Sequence, residues 1–463
     1  MLAAVGPGIV VTGSVIGSGE LVNTPVQAAT FGFILLWAVL LSCMVKYFLQ
    51  VEIARHCLVE NRTTFEAINE CPGPKIRGTS WIGLVYMCGY VITMLPVIGI
   101  IGALGGLMHE VWPLPMTPEL STQMWGALNV LVALALLWGG AYRHLETLVT
   151  LLVAGFSISV GVGVLLIQGT EFRITGADVA SGLEFSLGPA PRAGAFAVLS
   201  LMGALGVAAN ELFMYPYWIL EKGYAEKLGD RADALWATRA RHWINTIRLD
   251  AGLATIVATV VTAAFYLLGA AVLFRQGVMP QGLSVVEQIS SVYTATYGEW
   301  SQSMFYVGAF CTLFSTLVVY TAASGRMWTD LFCSLGWLDR ANPQSTRRSH
   351  QFVQLAWLAA LLAAFLLMEK QPARLIILGH FVLGAFMTPL LMFAIVWMAF
   401  HTDARVRMGR GWATALGQSH PPAQGPDRLD DPYALSAGAR PGDPDRGARG
   451  RRAEERKCGR AAE

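Results

Sequence analysis

The sequence predicts an all-α polytopic membrane protein built from two inverted repeats of five spans, with the first and sixth helices interrupted. Three observations carry this. Of the 463 residues, 54% are hydrophobic and only 14% charged, and mean hydropathy is +0.50. That composition excludes a soluble enzyme and fits a chain with many apolar runs of about 20 residues, the length that crosses a bilayer. Two of these runs share a signature: Gly13 to Pro25 reads G-S-V-I-G-S-G-E-L-V-N-T-P, and Ala204 to Pro216 reads A-L-G-V-A-A-N-E-L-F-M-Y-P. Finally, basic residues sort to alternate loops.

Ten spans are predicted, at 4–30, 33–53, 80–108, 123–141, 145–168, 194–220, 247–274, 302–324, 352–368 and 373–399. The first begins almost at Met1, has no basic leader and contains Glu20, so it reads as a span and not as a cleaved signal. With the N-terminus cytoplasmic, inner loops hold Arg55, Arg62, Lys75, Arg77, Arg143, Lys222, Lys227, Arg231, Arg239, Arg241, Arg326, Arg340, Arg347 and Arg348. Outer loops hold Arg173, Arg192, Arg275, Lys370 and Arg374. This asymmetry obeys the positive-inside rule and supports both the count and the orientation, with both termini cytoplasmic. The expected address is a bacterial inner membrane.

The E-L-x-x-x-P signatures pair Glu20 with Glu211, Leu21 with Leu212 and Pro25 with Pro216, 191 residues apart. An odd number of spans per repeat inverts the second copy, so repeat one covers about 4–168 and repeat two about 194–399. Glycine, proline and small residues let both segments unwind in mid-membrane. A carboxylate at that depth is costly and usually functional. Paired, interrupted spans at matching places in two halves mark a transporter's binding site.

The remaining segments carry less. From His401 to Glu463 the chain is rich in Gly, Ala, Arg, Asp and Pro without apolar periodicity, and reads as a disordered cytoplasmic tail after a membrane domain at 1–400. Its basic residues suit anionic lipid. The seven cysteines, at 43, 57, 71, 88, 311, 333 and 458, avoid the outer loops, so disulfides are not expected. No G-x-x-x-x-G-K loop is present to drive transport with ATP. No cofactor or nucleic acid is implied, and the sequence leaves the oligomeric state open, a monomer being plausible. Lys46 and Glu52 read as snorkelling or interface residues. Thr312, Ser315 and Thr316 read as bonding the preceding turn.

Gly6-Pro7-Gly8, then T-F-G-F-I-L-L-W from Thr30 to Trp37, then Q-V-E-I-A-R-H from Gln50 to His56, resemble the Nramp family. The likeness is strongest over residues 5–55, with a second patch on the sixth span. It implies a divalent-metal transporter with the inverted-repeat fold of the leucine transporter. The family's first-helix motif, D-P-G-N, falls on Gly17, Ser18, Gly19 and Glu20, and its sixth-helix motif, M-P-H, on Ala208, Ala209 and Asn210. The family's metal-binding Asp is thus Gly17, its Asn is Glu20, its Met is Ala208 and its His is Asn210. A later family His is matched by Tyr215, and His380 lies near a family Gln that helps close the site. Loss of the thioether at Ala208 recalibrates selectivity away from soft metals. The third span, Trp81 to Leu107, has no acid, so the family's proton route is altered or absent. Replacement of the family's Met by Ala is shared with Nramp-related magnesium transporters, which keep the first-helix acid that Gly17 replaces here.

The candidate site is therefore Gly17, Ser18, Glu20, Val207, Ala208, Asn210 and Glu211, with Tyr215 and His380 behind it. Its donors are oxygens, which suit Mg²⁺ or Mn²⁺. Two readings of the glutamates stay open: ligation of the substrate, or capping of the adjacent half-helix N-terminus, where N–H groups are free. Among functions, a transporter of hard divalent ions stands beside a transporter of a small amino-acid-like or cationic solute on the same fold, and beside a non-transporting receptor or scaffold.

The topology makes a direct prediction. A single cysteine introduced at Thr117 is labelled by an impermeant thiol reagent added outside, and one at Ala234 is not. Equal external labelling contradicts the topology.

Overall fold

In the bilayer core no water is available to a stray backbone group, so spanning segments satisfy their own hydrogen bonds as helices. The computed structural model describes residues 17–139, 142–282, 284–367 and 371–407. Among these are nine helical segments long and apolar enough to cross a membrane. They are Leu36–Glu60, Trp81–Val111, Pro118–Trp138, Leu151–Gly169, Pro191–Glu221, Trp236–Phe274, Ser301–Ser334, Pro343–Leu367 and Pro372–His401. They match predicted spans two to ten in order. Of the first span, residues 1–16 lie outside the described residues, including Gly6-Pro7-Gly8, and its second half runs from Gly17 to Phe31.

Several helices overrun their apolar stretches. The seventh begins at Trp236, well before 247, and the eighth continues to Ser334, beyond 324. Hydropathy marks only the part in hydrocarbon; Arg239 and Arg241 lie on helical turns beyond it. The third span is two helices, Trp81–Ile92 and Met94–Val111, joined at Thr93. Pro96 explains the joint, because it cannot donate to the Ile92 carbonyl four residues back. Proline also explains two wide turns, Gly19–Asn23 before Pro25 and Leu383–Met387 before Pro389. There the missing proline N–H breaks the regular ladder and i→i+5 bonds take over.

Small residues bring the interrupted spans against their neighbours. A Cβ added to Gly203 would sit 1.8 Å from the His380 carbonyl oxygen, and one on Gly384 1.9 Å from that of Leu199. The sixth and tenth spans therefore meet backbone to backbone. A Cβ on Gly19 would meet the Ala204 Cβ at 3.1 Å, which fixes the first-span half-helix against the end of the sixth-span one. Opposite the packed interior, Leu151, Ile158, Leu165, Ile256 and Val260 are exposed, as a lipid-facing surface requires.

The side that carries most basic loops is tied by polar contacts. Thr63 caps the short helix Thr64–Asn69 in a reciprocal box with Glu66, and its hydroxyl donates to Asp330 Oδ2 at 2.8 Å. Asp330 also accepts from Tyr217 and pairs with Arg340, which pairs in turn with Glu66. Nearby, Lys75–Ile76 and Thr79–Ser80 form a hairpin whose two-residue turn, Arg77-Gly78, has positive φ at both positions.

Two expectations are corrected. Lys46 and Glu52 do not snorkel: they are 2% and 0% exposed, and Glu52 pairs with Arg55 inside the protein. The tail does not leave the molecule at His401. Thr402 and Val406 are buried, and Arg55 Nη1 donates to the Val406 carbonyl at 2.9 Å. The rest of the tail, from 408, lies outside the described residues.

The close crossing at Gly203 is testable. Gly203→Ala should lower stability in detergent by about 1–3 kcal/mol through overpacking, read as a fall in melting temperature. An unchanged melting temperature contradicts the close packing.

Candidate functional site

The sixth span is broken. Its first half, Pro191–Ala204, ends at extended Leu205; its second, Ala209–Glu221, starts after extended Ala208. Gly206 between them has φ +68°, a region that favours glycine. A Cβ there would also meet the Cys43 backbone at 3.2 Å, because the second span crosses directly over the break. In the first span the helical turns begin after Gly17, whose carbonyl accepts from Leu21 N at 3.0 Å.

The two glutamates make the same contact in the two repeats. The Gly17 N–H donates to Glu20 Oε2 at 3.0 Å, and the Ala208 N–H donates to Glu211 Oε2 at 2.9 Å. Each carboxylate thus reaches back three residues to cap its half-helix, at the positive end of the helix dipole. Glu20 Oε1 accepts from Thr262 at 3.5 Å. Glu20 is 1% exposed. Glu211 also lines a cavity of about 30 Å³ with Tyr90, Asn210, Trp218 and Tyr320.

The opposite pole of the break is served by a cation. Lys46 Nζ donates to the Leu205 carbonyl at 2.6 Å and reaches that of Gly203 at 3.4 Å. Ser42, one turn earlier on the same helix face, donates to Leu205 O at 3.1 Å. The Lys46 ammonium lies within electrostatic range of both Glu20 and Glu211.

The other predicted residues divide. Ser18 and Val207 are buried beside the breaks, and Ala208 is partly buried. Asn210 bridges helices: it accepts from the Tyr86 hydroxyl at 3.0 Å and donates to Tyr320 at 3.1 Å and Thr93 at 3.3 Å. Tyr215 donates to Asp250 Oδ2 at 3.4 Å. His380 is buried 3.5 Å from Asn23 Nδ2. Asn23 also donates to Ser200 Oγ at 3.1 Å and accepts from Gln27 at 3.3 Å, so a polar cluster lies one turn beyond Glu20.

Sequence reasoning missed Lys46, Asn23 and Ser200. Lys46 carried a usable signal, since an ionisable residue within a span is a functional candidate by default. Asn23 stands inside the repeated signature itself. Among the described residues no three His, Cys, Asp or Glu side chains cluster to hold a metal.

The comparisons follow the same line. The family described as natural resistance-associated macrophage protein-like, Nramp, matches residues 8–413. An uncharacterised protein of Pasteurella multocida is 22% identical over 321 residues, 68% of this chain and 67% of the relative. The fold is similar to crystal structures of the Eremococcus coleocola manganese transporter, covering 90% of this chain and 83% of that chain at 16% identity. The TM-score is 0.59 for one mutant and for a complex with an aromatic bis-isothiourea substituted compound, and 0.58 for a second mutant. At that identity the likeness shows the fold: the inverted-repeat fold of the leucine-transporter type. With the family matched over most of its length, the chain belongs to the Nramp family.

Proposed function

We propose that this integral membrane protein is a secondary transporter of divalent cations that favours hard ions, Mg²⁺ or Mn²⁺, over soft ones. Its membrane domain runs past residue 400 at least as far as Val406, which is packed against Arg55, with both termini cytoplasmic in a bacterial inner membrane. The observation that carries the reading is the pair of buried glutamates that cap the two half-helices in the same way, one in each repeat. Two carboxylates neutralise one divalent ion, which offsets the penalty of burying them. Each glutamate uses one oxygen as a cap; the second oxygen of Glu20 accepts a long bond from Thr262 that a cargo ion would displace. Ser18 and the backbone oxygens of Gly17, Val207 and Ala208 would complete an oxygen shell, and Asn210 would join it only by exchanging its present partners. No thioether stands at Ala208 to select Cd²⁺. The manganese transporter that the fold resembles is consistent with such a cargo.

Coupling to protons is weak or absent in this reading, because the third span carries no acid between Trp81 and Leu107. Alternating access would then move the two repeats around the breaks, with the Asp330, Tyr217, Thr63 and Arg340 contacts closing the basic-loop side.

One observation favours a second reading. The cavity beside Glu211 is lined by the aromatic rings of Tyr90, Trp218 and Tyr320. Aromatic faces with one carboxylate attract a small organic cation, although a cavity of about 30 Å³ would have to widen to admit one.

Uptake into proteoliposomes decides between them. Glu20→Gln and Glu211→Gln keep an oxygen for the cap but remove the charge, so each should cut Mg²⁺ and Mn²⁺ uptake at least about tenfold, a loss of ~1.4 kcal/mol, without a fall in melting temperature. Ala208→Met should raise Cd²⁺ affinity. Normal divalent uptake by both Gln variants sinks the metal reading and leaves the organic cation as the better one.

A further inference from the structure

On the side that carries the basic loops, residues 335–342 join the eighth span to the ninth, and a cavity of about 590 Å³ opens in that corner. Its apolar wall includes Phe332, Trp337 and Phe352. Gly336, at φ +74°, reverses the chain after the helix Ser301–Ser334. The Trp337 and Leu338 N–H groups then both donate to the Phe332 carbonyl, at 2.9 and 3.3 Å, and the Trp337 ring stacks on Phe332 with centroids 5.6 Å apart. Trp337 is nevertheless 61% exposed and Phe352 69%. The polar wall comes from the start of the helix Pro343–Leu367 and includes Arg348. Arg347 and Arg348 are exposed, and among the described residues neither has a carboxylate partner. Arg340, in the connection itself, is paired with Asp330 and Glu66. No acid occurs between Arg340 and Glu369.

We propose that this corner binds an anionic phospholipid of the adjoining leaflet, with the phosphate on Arg348 and the upper part of the chains against Phe352 and Trp337. Depth argues for a lipid and not a soluble anion. The ninth apolar stretch begins at Phe352, and at ~1.5 Å per helical residue Arg348 stands about 6 Å outside it. That is within the headgroup layer, roughly 5–7 Å thick on each face of the bilayer. A ligand that reaches from Arg348 to Phe352 is therefore charged at one end and apolar at the other. Charge argues for an anion, because Arg347 and Arg348 have no local acid to neutralise them. Basic pockets between spans on this side of a membrane hold anionic headgroups. Interfacial aromatic belts also place Trp at this depth, but a belt needs neither a cavity nor a guanidinium, and this corner has both. A seated lipid would brace residues 335–342, which carry Arg340 to its contact with Asp330. On the reading that this contact closes the basic-loop side, occupancy favours closure. The binding site itself holds whichever cargo the transporter carries.

The test is quenching of tryptophan fluorescence in the purified full chain by phosphatidylglycerol brominated on its upper chain carbons, titrated into detergent micelles. Phosphatidylcholine with the same brominated chains is the zwitterionic control. The wild type should show a saturable quenching component with phosphatidylglycerol that phosphatidylcholine lacks, and Trp337→Phe should lose that component. Arg348→Gln should raise the half-saturating lipid fraction about fivefold, the weight of one basic side chain at an anionic surface, and Arg348→Lys should stay near the wild type. Lys75→Gln, which removes an exposed charge from the hairpin on the same side, should leave the titration unchanged. Equal quenching by the two lipids overturns the proposal, as does a component that survives in Trp337→Phe. An equal shift in Arg348→Gln and Lys75→Gln shows general attraction to an anionic surface and also overturns it. Inorganic phosphate, at constant ionic strength, should not compete; if it abolishes the component, the ligand is a free anion and the lipid proposal fails. The readout is binding, so its failure leaves the transport reading where it stands.

Discussion

Everything at the centre of this protein depends on one constraint: a helix broken inside a membrane exposes N–H and C=O groups that water cannot reach. The chain resolves this with charge. On the N-terminal side of each second half-helix, a glutamate three residues in accepts the first free N–H, Gly17 to Glu20 and Ala208 to Glu211. On the C-terminal side of the first half of the sixth span, Lys46 donates to the free carbonyls. Opposite charges thus face the opposite poles of the helix dipoles, and each is stabilised where an isolated charge would be prohibitive.

This arrangement joins the two readings of the glutamates that the sequence left open. Capping is what the carboxylates do in the structure, and capping holds them in fixed rotamers at the crossing of the two repeats. A carboxylate has two oxygens, so a cap on one leaves geometry for a ligand at the other. In the proposed mechanism the same residues that keep the breaks intact also attract the cargo.

The sequence made the architecture readable because the bilayer imposes simple rules. Nine described spans follow the apolar runs, and departures occur where helices such as Trp236–Phe274 extend past hydrocarbon. The interruption of the sixth span was legible in A-L-G-V-A-A-N-E, since Gly206 adopts the positive φ that small-residue runs permit. The partners across the breaks were not legible. Lys46 lies more than 150 residues from the carbonyls it serves, and no local pattern encodes that pairing. Asn210 looked like a ligand because it matches a family His, yet its amide is engaged by Tyr86, Thr93 and Tyr320, which lie on two other spans. Tyr215 similarly belongs with Asp250. Tertiary hydrogen bonding decided these cases, and periodicity carries no information about it.

The most direct measurement is a crystal structure grown with Mn²⁺ and examined by anomalous scattering. The account predicts one peak at the crossing of the breaks, within about 2.0–2.6 Å of a carboxylate oxygen of both Glu20 and Glu211. A peak elsewhere in the protein, or none while both glutamates still cap Gly17 and Ala208, would contradict it.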